Sequence, residues 1–96
     1  MIRSFGDAAT EDIFHGASSK AARTIPKALW SAVRLKLDMV NAATTVNALR
    51  VPPGNRLEAL KADRAGSFSI RVNDQYRITF WFEGEDAHDV RCEDYH

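Results

Sequence analysis

The chain of 96 residues has few of the features that mark secreted, disulfide-linked or membrane proteins. Its single cysteine, Cys92, cannot form a disulfide within the chain, and this content fits a reducing, cytoplasmic setting best. No apolar run approaches the roughly 20 residues of a membrane-spanning helix, and residues 1–7 lack the apolar core of a signal peptide. We therefore predict one domain, residues 1–96, located in the cytoplasm and without membrane contact.

Motifs for metals, cofactors and common nucleophiles are also missing. Three scattered histidines and one cysteine show no metal-ligand spacing, so neither a metal site nor another cofactor is predicted. The sequence contains no glycine-rich phosphate loop and no GxSxG motif around a nucleophilic serine. Any chemistry would therefore come from ordinary ionisable side chains.

The net charge is zero, but the charges are unevenly placed along the chain. Residues 17–36 carry five cations and no acid, and residues 50–77 carry six cations against three acids. Residues 83–96 carry six acids against one arginine. Basic blocks are the footprint expected for contact with phosphates. Charge alone favours the simpler interpretation, in which these blocks are solvated surface.

Helical signals occupy the first half of the chain. Residues 2–5 alternate between apolar and polar and predict a short edge strand. Asp7 can cap a first helix that Gly16 ends. A second helix is predicted from its cap at Thr24 to about Ala42. Its apolar stripe is formed by Ile25, Leu29, Val33, Leu37 and Val40.

The second half of the chain predicts a sheet. The candidate strands are residues 57–60, 68–72, 76–82 and 88–93. The second and third of these form a hairpin around a turn at residues 73–75. We therefore expect an α+β fold with N-terminal helices packed on one face of a small antiparallel sheet. The other face is expected to stay open and to carry Arg71, Arg77 and Trp81.

The final residues, Asp94, Tyr95 and His96, combine groups that can orient or move a proton near neutral pH. Cleavage of RNA without a metal needs a base for the 2′-hydroxyl, an acid for the departing 5′-oxygen and cations for the phosphate charge. His96 is the best proton shuttle of the chain, although a lone terminal histidine is usually a functionless tail. The cationic candidates are Arg77, Lys61 and Arg64. The sheet would have to bring these groups together.

Glu58 has two interpretations. Its carboxylate could serve as a general base near the cations. It could instead be an ordinary surface acid paired with Arg56 or Lys61. The residues by themselves favour the second interpretation.

Two stretches of the chain carry a resemblance to a known family. Residues 52–66 read PPGNRLEALKADRAG, and residues 69–80 read SIRVNDQYRITF. Together they resemble the HigB toxins, which belong to the RelE superfamily and are also called plasmid-maintenance killer proteins. The opening at residues 1–5 and the ending at residues 94–96 match as well, so the resemblance spans almost the whole chain.

The resemblance implies a ribosome-dependent endoribonuclease with a RelE-like fold. Such toxins enter the decoding site of the small ribosomal subunit and cut mRNA through its 2′-hydroxyl, without a metal. The implied partner is a HigA-type antitoxin with a helix-turn-helix, which neutralises the toxin and provides its only link to operator DNA.

The resemblance also implies roles for particular positions. The residues that match its active-site pattern are Asp94, Tyr95, His96, Lys61 and Arg77. Arg64 matches a basic position near the site. It is a candidate for RNA contact together with Arg71 and Arg56, which are chosen for their charge and position in the sequence. Position 58 is a departure, because some members have histidine where this chain has Glu58. A carboxylate can act as a base but is a poor acid at pH 7, so this departure bears on rate and cleavage preference.

Two other hypotheses remain open from the sequence. A catalytically weak or inactive RelE-like module could still bind the ribosome or an antitoxin, and Glu58 keeps this alternative alive. A generic α+β domain with solvated charged patches is the third. Retention of the tail and of the basic residues favours the toxin ribonuclease over both.

Overall fold

The computed structural model describes residues 1–94, with helices first and strands after them. The helices are α1 (Ala8–Phe14) and α2 (Trp30–Ala42). The strands are β1 (Glu58–Ala59), β2 (Ser67–Arg71), β3 (Tyr76–Glu83) and β4 (Asp86–Asp94). Short 3-10 turns occupy Ala22–Thr24, Lys27–Leu29, Val46–Arg50, Pro53–Asn55 and Ala62–Arg64. Two predicted site residues, Tyr95 and His96, lie outside the described residues.

The four strands form one antiparallel sheet in the order β1-β2-β3-β4. The β2–β3 hairpin turns around residues 72–75, as the sequence predicts. One face of the sheet packs on the helices and buries the side chains of Ile70, Ile78, Phe80 and Val90. The predicted α+β fold, with helices on one face of a small antiparallel sheet, is therefore confirmed.

The apolar stripe of α2 supplies the helical side of the core. Val33, Leu37 and Val40 are fully buried, and Ile13 of α1 packs into the same cluster. Burying one such aliphatic side chain contributes about 1.5–3 kcal/mol to folding. The spacing of these residues along α2 therefore fixes which side of the helix meets the sheet.

The second helix begins later than predicted. Thr24 does not cap it, because its hydroxyl donates to the carbonyl of Ala21 at 2.7 Å. Ile25 is extended, as the residue before a proline tends to be, and Pro26 has no N–H for a helical hydrogen bond. The chain therefore makes two 3-10 turns before the helix starts at Trp30. Ile25 is buried in the core all the same, so the apolar pattern is correct and the helical boundary is wrong.

The outer edge of β4 is covered by the N-terminal residues. Ile2 and Phe5 form isolated parallel bridges with Ala87 and Val90, in place of the predicted edge strand. Further along, the Thr10 hydroxyl accepts a hydrogen bond from the backbone N–H of Cys92 at 2.8 Å. Exposed strand edges invite pairing with other chains, and this cover removes that hazard along β4.

The loop before β1 is anchored to the helical layer. Asn55 is completely buried, and its Nδ2 donates to the carbonyl of Leu49 at 3.2 Å. The Lys36 ammonium of α2 donates to the Oδ1 atom of the same asparagine. Arg56, next in the chain, takes a left-handed conformation with φ of 46°. The anchor and this turn direct the Arg56 carbonyl towards the sheet, where it becomes part of the site described below.

Candidate active site

The second face of the sheet is called here the polar face. By strand register it carries Glu58, Ser67, Ser69, Arg71, Arg77, Thr79, Trp81, Arg91 and Glu93. The predicted positions of Arg71, Arg77 and Trp81 on this face are confirmed. Two small side chains of this face, Ser69 and Thr79, are nevertheless buried.

Arg77 is held tightly on the polar face, and its side chain is only 11% exposed. Its Nε donates to the Ser69 hydroxyl at 2.8 Å, and its Nη2 donates to the Arg56 carbonyl at 2.7 Å. Hydrogen bonds from a charged guanidinium are stronger than those between neutral groups. Because these two bonds leave from different nitrogen atoms, they fix the orientation of the guanidinium plane. Arg77 is therefore a positive group whose position is set before any ligand arrives.

Glu58 lies beside this arginine. Its Oε2 is 3.9 Å from Nη2 of Arg77, whereas the sequence favoured a pair with Arg56 or Lys61. The Glu58 side chain is 56% exposed, so its carboxylate is open to solvent and ligands, whereas the Arg77 side chain beside it is largely buried. At this separation and exposure the pair contributes little to stability.

Glu93 is a central residue of the polar face that the sequence analysis missed. Its Oε2 accepts hydrogen bonds from the Thr79 hydroxyl and from Nη2 of Arg64, the latter at 2.8 Å. Burial acts to raise the pKa of Glu93, but the hydrogen bonds from Arg64 and Thr79 and the charges of Arg64 and Arg91 outweigh it and lower that pKa. The inward position of Cys92 was a usable signal, because strand alternation then directs Glu93 to the polar face.

A turn between β1 and β2 brings further cations to this side. Arg64 closes the 3-10 turn with its backbone N–H donating to the carbonyl of Lys61 at 3.1 Å. Gly66 has φ of 93°, and a Cβ added there would lie 2.5 Å from a ring atom of Trp81. Only glycine allows both this backbone conformation and this close packing on the ring. The exposed Lys61 stands at the start of the turn.

Two further predicted site residues contact the β2–β3 turn. Arg71 pairs with Asp74 in the β2–β3 turn. Asp94 lies directly opposite Tyr76, so alternation places it on the helix-facing side of the sheet. Its Oδ2 accepts a hydrogen bond from Nε2 of Gln75 at 2.9 Å. Alternation therefore places Asp94 on the opposite side of the sheet from Arg77.

A cleft of about 220 Å³ lies in the helical layer, remote from the polar face. Its lining comes from α1, α2 and the residues after α1: Ile13, Gly16, Ala17, Trp30, Ser31 and Arg34. None of the predicted site residues lines it.

Across residues 1–94, the structure shows no group of three or more His, Cys, Asp or Glu side chains that could hold a metal ion. No helix in the same part of the chain is long and apolar enough to cross a membrane.

Solved structures of similar shape define the class of fold. A chain of the YoeB–YefM complex from Staphylococcus aureus superposes with a TM-score of 0.61 at 14% identity, covering 100% of this chain and 98% of that one. The YoeB/ParE toxin from Agrobacterium tumefaciens gives a TM-score of 0.57 at 16% identity, covering 97% and 98%. At such identities the likeness concerns the fold alone, which is RelE-like.

Sequence comparison then defines the family. The family described as "RelE-like toxin of type II toxin-antitoxin system HigB" matches residues 3–96. Toxin HigB-1 of Vibrio cholerae is 40% identical over 85 residues, which cover 88% of this chain and 87% of that protein. Endoribonuclease HigB of Proteus vulgaris is 39% identical over 61 residues, covering 64% and 65%. The chain belongs to the HigB-like toxins of type II toxin–antitoxin systems, which confirms the resemblance.

Proposed function

We propose that this toxin is an endoribonuclease that cuts mRNA in the decoding site of the ribosome and so blocks translation. The observation that carries this proposal is the fixed guanidinium of Arg77 beside the accessible carboxylate of Glu58. The relative named Endoribonuclease HigB supports the same reaction class.

In the proposed reaction the 2′-hydroxyl oxygen attacks the adjacent phosphorus, and no metal takes part. Glu58 is the candidate base that removes the hydroxyl proton, since its carboxylate is exposed. As the bond from phosphorus to the 5′-oxygen breaks, that oxygen takes a proton from His96 or Tyr95. The products are a 2′,3′-cyclic phosphate and a free 5′-hydroxyl.

Cations would supply the second part of the catalysis. Negative charge grows on the phosphate as the 2′-oxygen attacks, and preorganised donors lower the barrier because they need no rearrangement at that moment. Arg77 is the most restrained candidate for this task. The other candidates for binding or stabilising the phosphates are Lys61, Arg64, Arg71 and Arg56, while Asp94 would orient the tail.

The proposed dependence on the ribosome is supported by the exposed position of the site. Its members sit on a sheet face with exposed Glu58 and Lys61, whereas the 220 Å³ cleft lies elsewhere. A substrate held by the ribosome would arrive at these residues already oriented. Action on translating ribosomes would also place the toxin in the cytoplasm.

Membership of a toxin–antitoxin family means that an antitoxin is the partner of this protein. We propose that this antitoxin is of the HigA type, with a helix-turn-helix, and that operator DNA is reached through it. Co-purification of the toxin with the product of an adjacent reading frame tests this partner, and the absence of a helix-turn-helix protein in that complex would contradict the assignment.

Cleavage of a defined mRNA with programmed ribosomes present and absent tests the activity. We expect cutting only with ribosomes, and a loss of at least about 100-fold in Glu58→Gln, which removes a base while keeping the side-chain shape. Arg34→Ala, on α2 and remote from the polar face, is the matched control. Cutting of naked RNA would reject the ribosome requirement. No cutting by folded wild type would favour the alternative of an inactive module that binds ribosome or antitoxin.

A further inference from the structure

Glu93 occupies a position on β4 that the proposed reaction does not use. It lies directly across the β3–β4 pair from Arg77, yet its contacts described above are to Thr79 and Arg64. Its side chain is 30% exposed, so it is neither a core residue nor a freely solvated acid.

Two hydrogen bonds fix the position of the Glu93 carboxylate on the polar face. Thr79 is 1% exposed, and a buried hydroxyl is costly to leave without a partner. Glu93 accepts that hydroxyl hydrogen bond, and the same oxygen, Oε2, accepts from Arg64 at 2.8 Å. The position of the carboxylate is thus set by the sheet, and the position of Arg64 is set by the carboxylate.

Arg64 links the Glu93 carboxylate to the turn that follows Lys61. The turn Ala62–Arg64 is closed by the hydrogen bond from the Arg64 N–H to the Lys61 carbonyl. Two residues later, Gly66 packs on the Trp81 ring. The segment is therefore fastened to the polar face at two points, by an ion pair in its turn and by a packing contact after it.

We propose that Glu93 is a positioning residue that holds Arg64, and with it the turn that begins after Lys61, against the polar face. Both cations then converge on the phosphate that Arg77 would stabilise. This inference rests on the proposed function. Glu93 acts through Arg64 and makes no contact with RNA itself.

A purely structural ion pair would have different consequences. A partly exposed pair contributes little to the stability of a fold. A displaced cation, in contrast, costs rate because charge stabilisation depends on geometry at the transition state. The loss of the Thr79 hydrogen bond can lower the melting temperature of a Glu93 variant, so the proposal is tested by kcat in folded protein, which should fall with a smaller change in KM.

The test is a double-mutant cycle in the ribosome-dependent cleavage assay, with kcat and KM measured separately. We expect Glu93→Ala to lower kcat by about 10- to 100-fold with a smaller change in KM. Glu93→Gln keeps an oxygen acceptor for Arg64 and should recover part of this loss. In an Arg64→Ala background, Glu93→Ala should cause no further loss, because its effect passes through that arginine.

The control is Asp89→Asn, which removes the carboxylate that pairs with Arg91 on the same strand. Asparagine tolerates the left-handed backbone of this position, where φ is 55°, so kcat should stay unchanged. Circular dichroism melts check folding, and if Glu93→Ala does not fold, the cycle is run with Glu93→Gln.

Three results would overturn the proposal. An unchanged kcat in a folded Glu93→Ala variant rejects a positioning role. If the loss of kcat in the double variant equals the product of the two single-variant losses, Glu93 acts independently of Arg64. An inactive wild type shows instead that the proposed function has failed, which the wild-type reaction reveals before any variant is compared, and the positioning role falls with it.

Discussion

Cys92 and Glu93 are neighbours on β4 that point to opposite faces of the sheet, and the two faces treat ionisable groups differently. Burial, with smaller contributions from the charges of Asp7 and Glu93, raises the pKa of Cys92 to about 12. On the polar face, hydrogen bonds outweigh burial and lower the pKa of Glu93. At these two neighbouring positions, the helix-facing side disfavours the charged form and the polar face favours it.

The means of stabilisation differ in the same way. The helix-facing side relies on close packing of aliphatic and aromatic side chains such as Ile78 and Phe80. The polar face relies on matched donors and acceptors, and within residues 1–94 no buried side-chain nitrogen or oxygen lacks a hydrogen-bond partner. Packing makes the fold stable, whereas matched polar groups can hold charges in place for chemistry.

The largest effect on stability is expected on the helix-facing side. Leu37→Ala removes a completely buried side chain and should lower the free energy of unfolding by about 2–5 kcal/mol, as a cavity remains. Urea denaturation measures this change. Leu35→Ala, on the same helix but at a position 54% exposed, is the control and should change it by less than about 0.5 kcal/mol. Equal losses in the two variants would contradict the assigned packing of α2.

The largest effect on activity is expected on the polar face. Arg77→Ala should lower kcat for mRNA cleavage by about 10²- to 10³-fold, because a preorganised donor to the phosphate is lost. Arg71→Ala is the comparison, and it should cost less because Arg71 already pairs with Asp74 in the turn. If Arg71→Ala proves the more harmful change, Arg71 and not Arg77 is the main cation of the site.

A smaller effect is expected when the charge of Glu93 is titrated. Its pKa is lowered in the folded protein, so the charged form stabilises the fold. This contribution is complete above the unfolded-state pKa of about 4.3 and is lost as the pH falls through the lower folded-state pKa. From about pH 6 to about pH 3, wild type should lose more unfolding free energy than Glu93→Gln. If the unfolding free energies of wild type and Glu93→Gln fall equally over this range, the charge of Glu93 does not stabilise the fold.

The smallest effect concerns the thiol on the helix-facing side. Cys92 is 8% exposed, and its raised pKa leaves almost no thiolate near neutral pH. The folded protein should therefore resist alkylation by iodoacetamide at about pH 8, while urea-unfolded protein should react readily. Mass spectrometry of the two samples gives the comparison. Rapid alkylation of the folded form would mean that this edge of the core opens easily.

The features that repeat along the chain could be predicted from the sequence. Alternation with a period of two identified β2, β3 and β4 and placed Arg71 and Arg77 on the polar face. The start of α2 could not be found this way, because Ile25 is buried whether it belongs to the helix or to the turn before it. A pattern of buried residues shows which side of a segment faces the core, but it does not show where the helix begins. Pro26 prevents regular helical hydrogen bonding at the predicted start.

The contacts that define the site depend on residues far apart in the chain. Arg64 and Glu93 are separated by 29 positions, and Arg77 meets the Arg56 carbonyl across 21. No local sequence pattern predicts these contacts, because they depend on how the loops pack against the folded sheet. The convergence of the tail with this cluster stays a prediction.

The cover over β4 has a consequence for how the toxin is made. Ile2 and Phe5 are synthesised long before their partners Ala87 and Val90. The edge of the sheet cannot close until those residues have emerged from the ribosome. Glu93 belongs to the same late strand, so the polar face is assembled only after nearly all of residues 1–94 have been released.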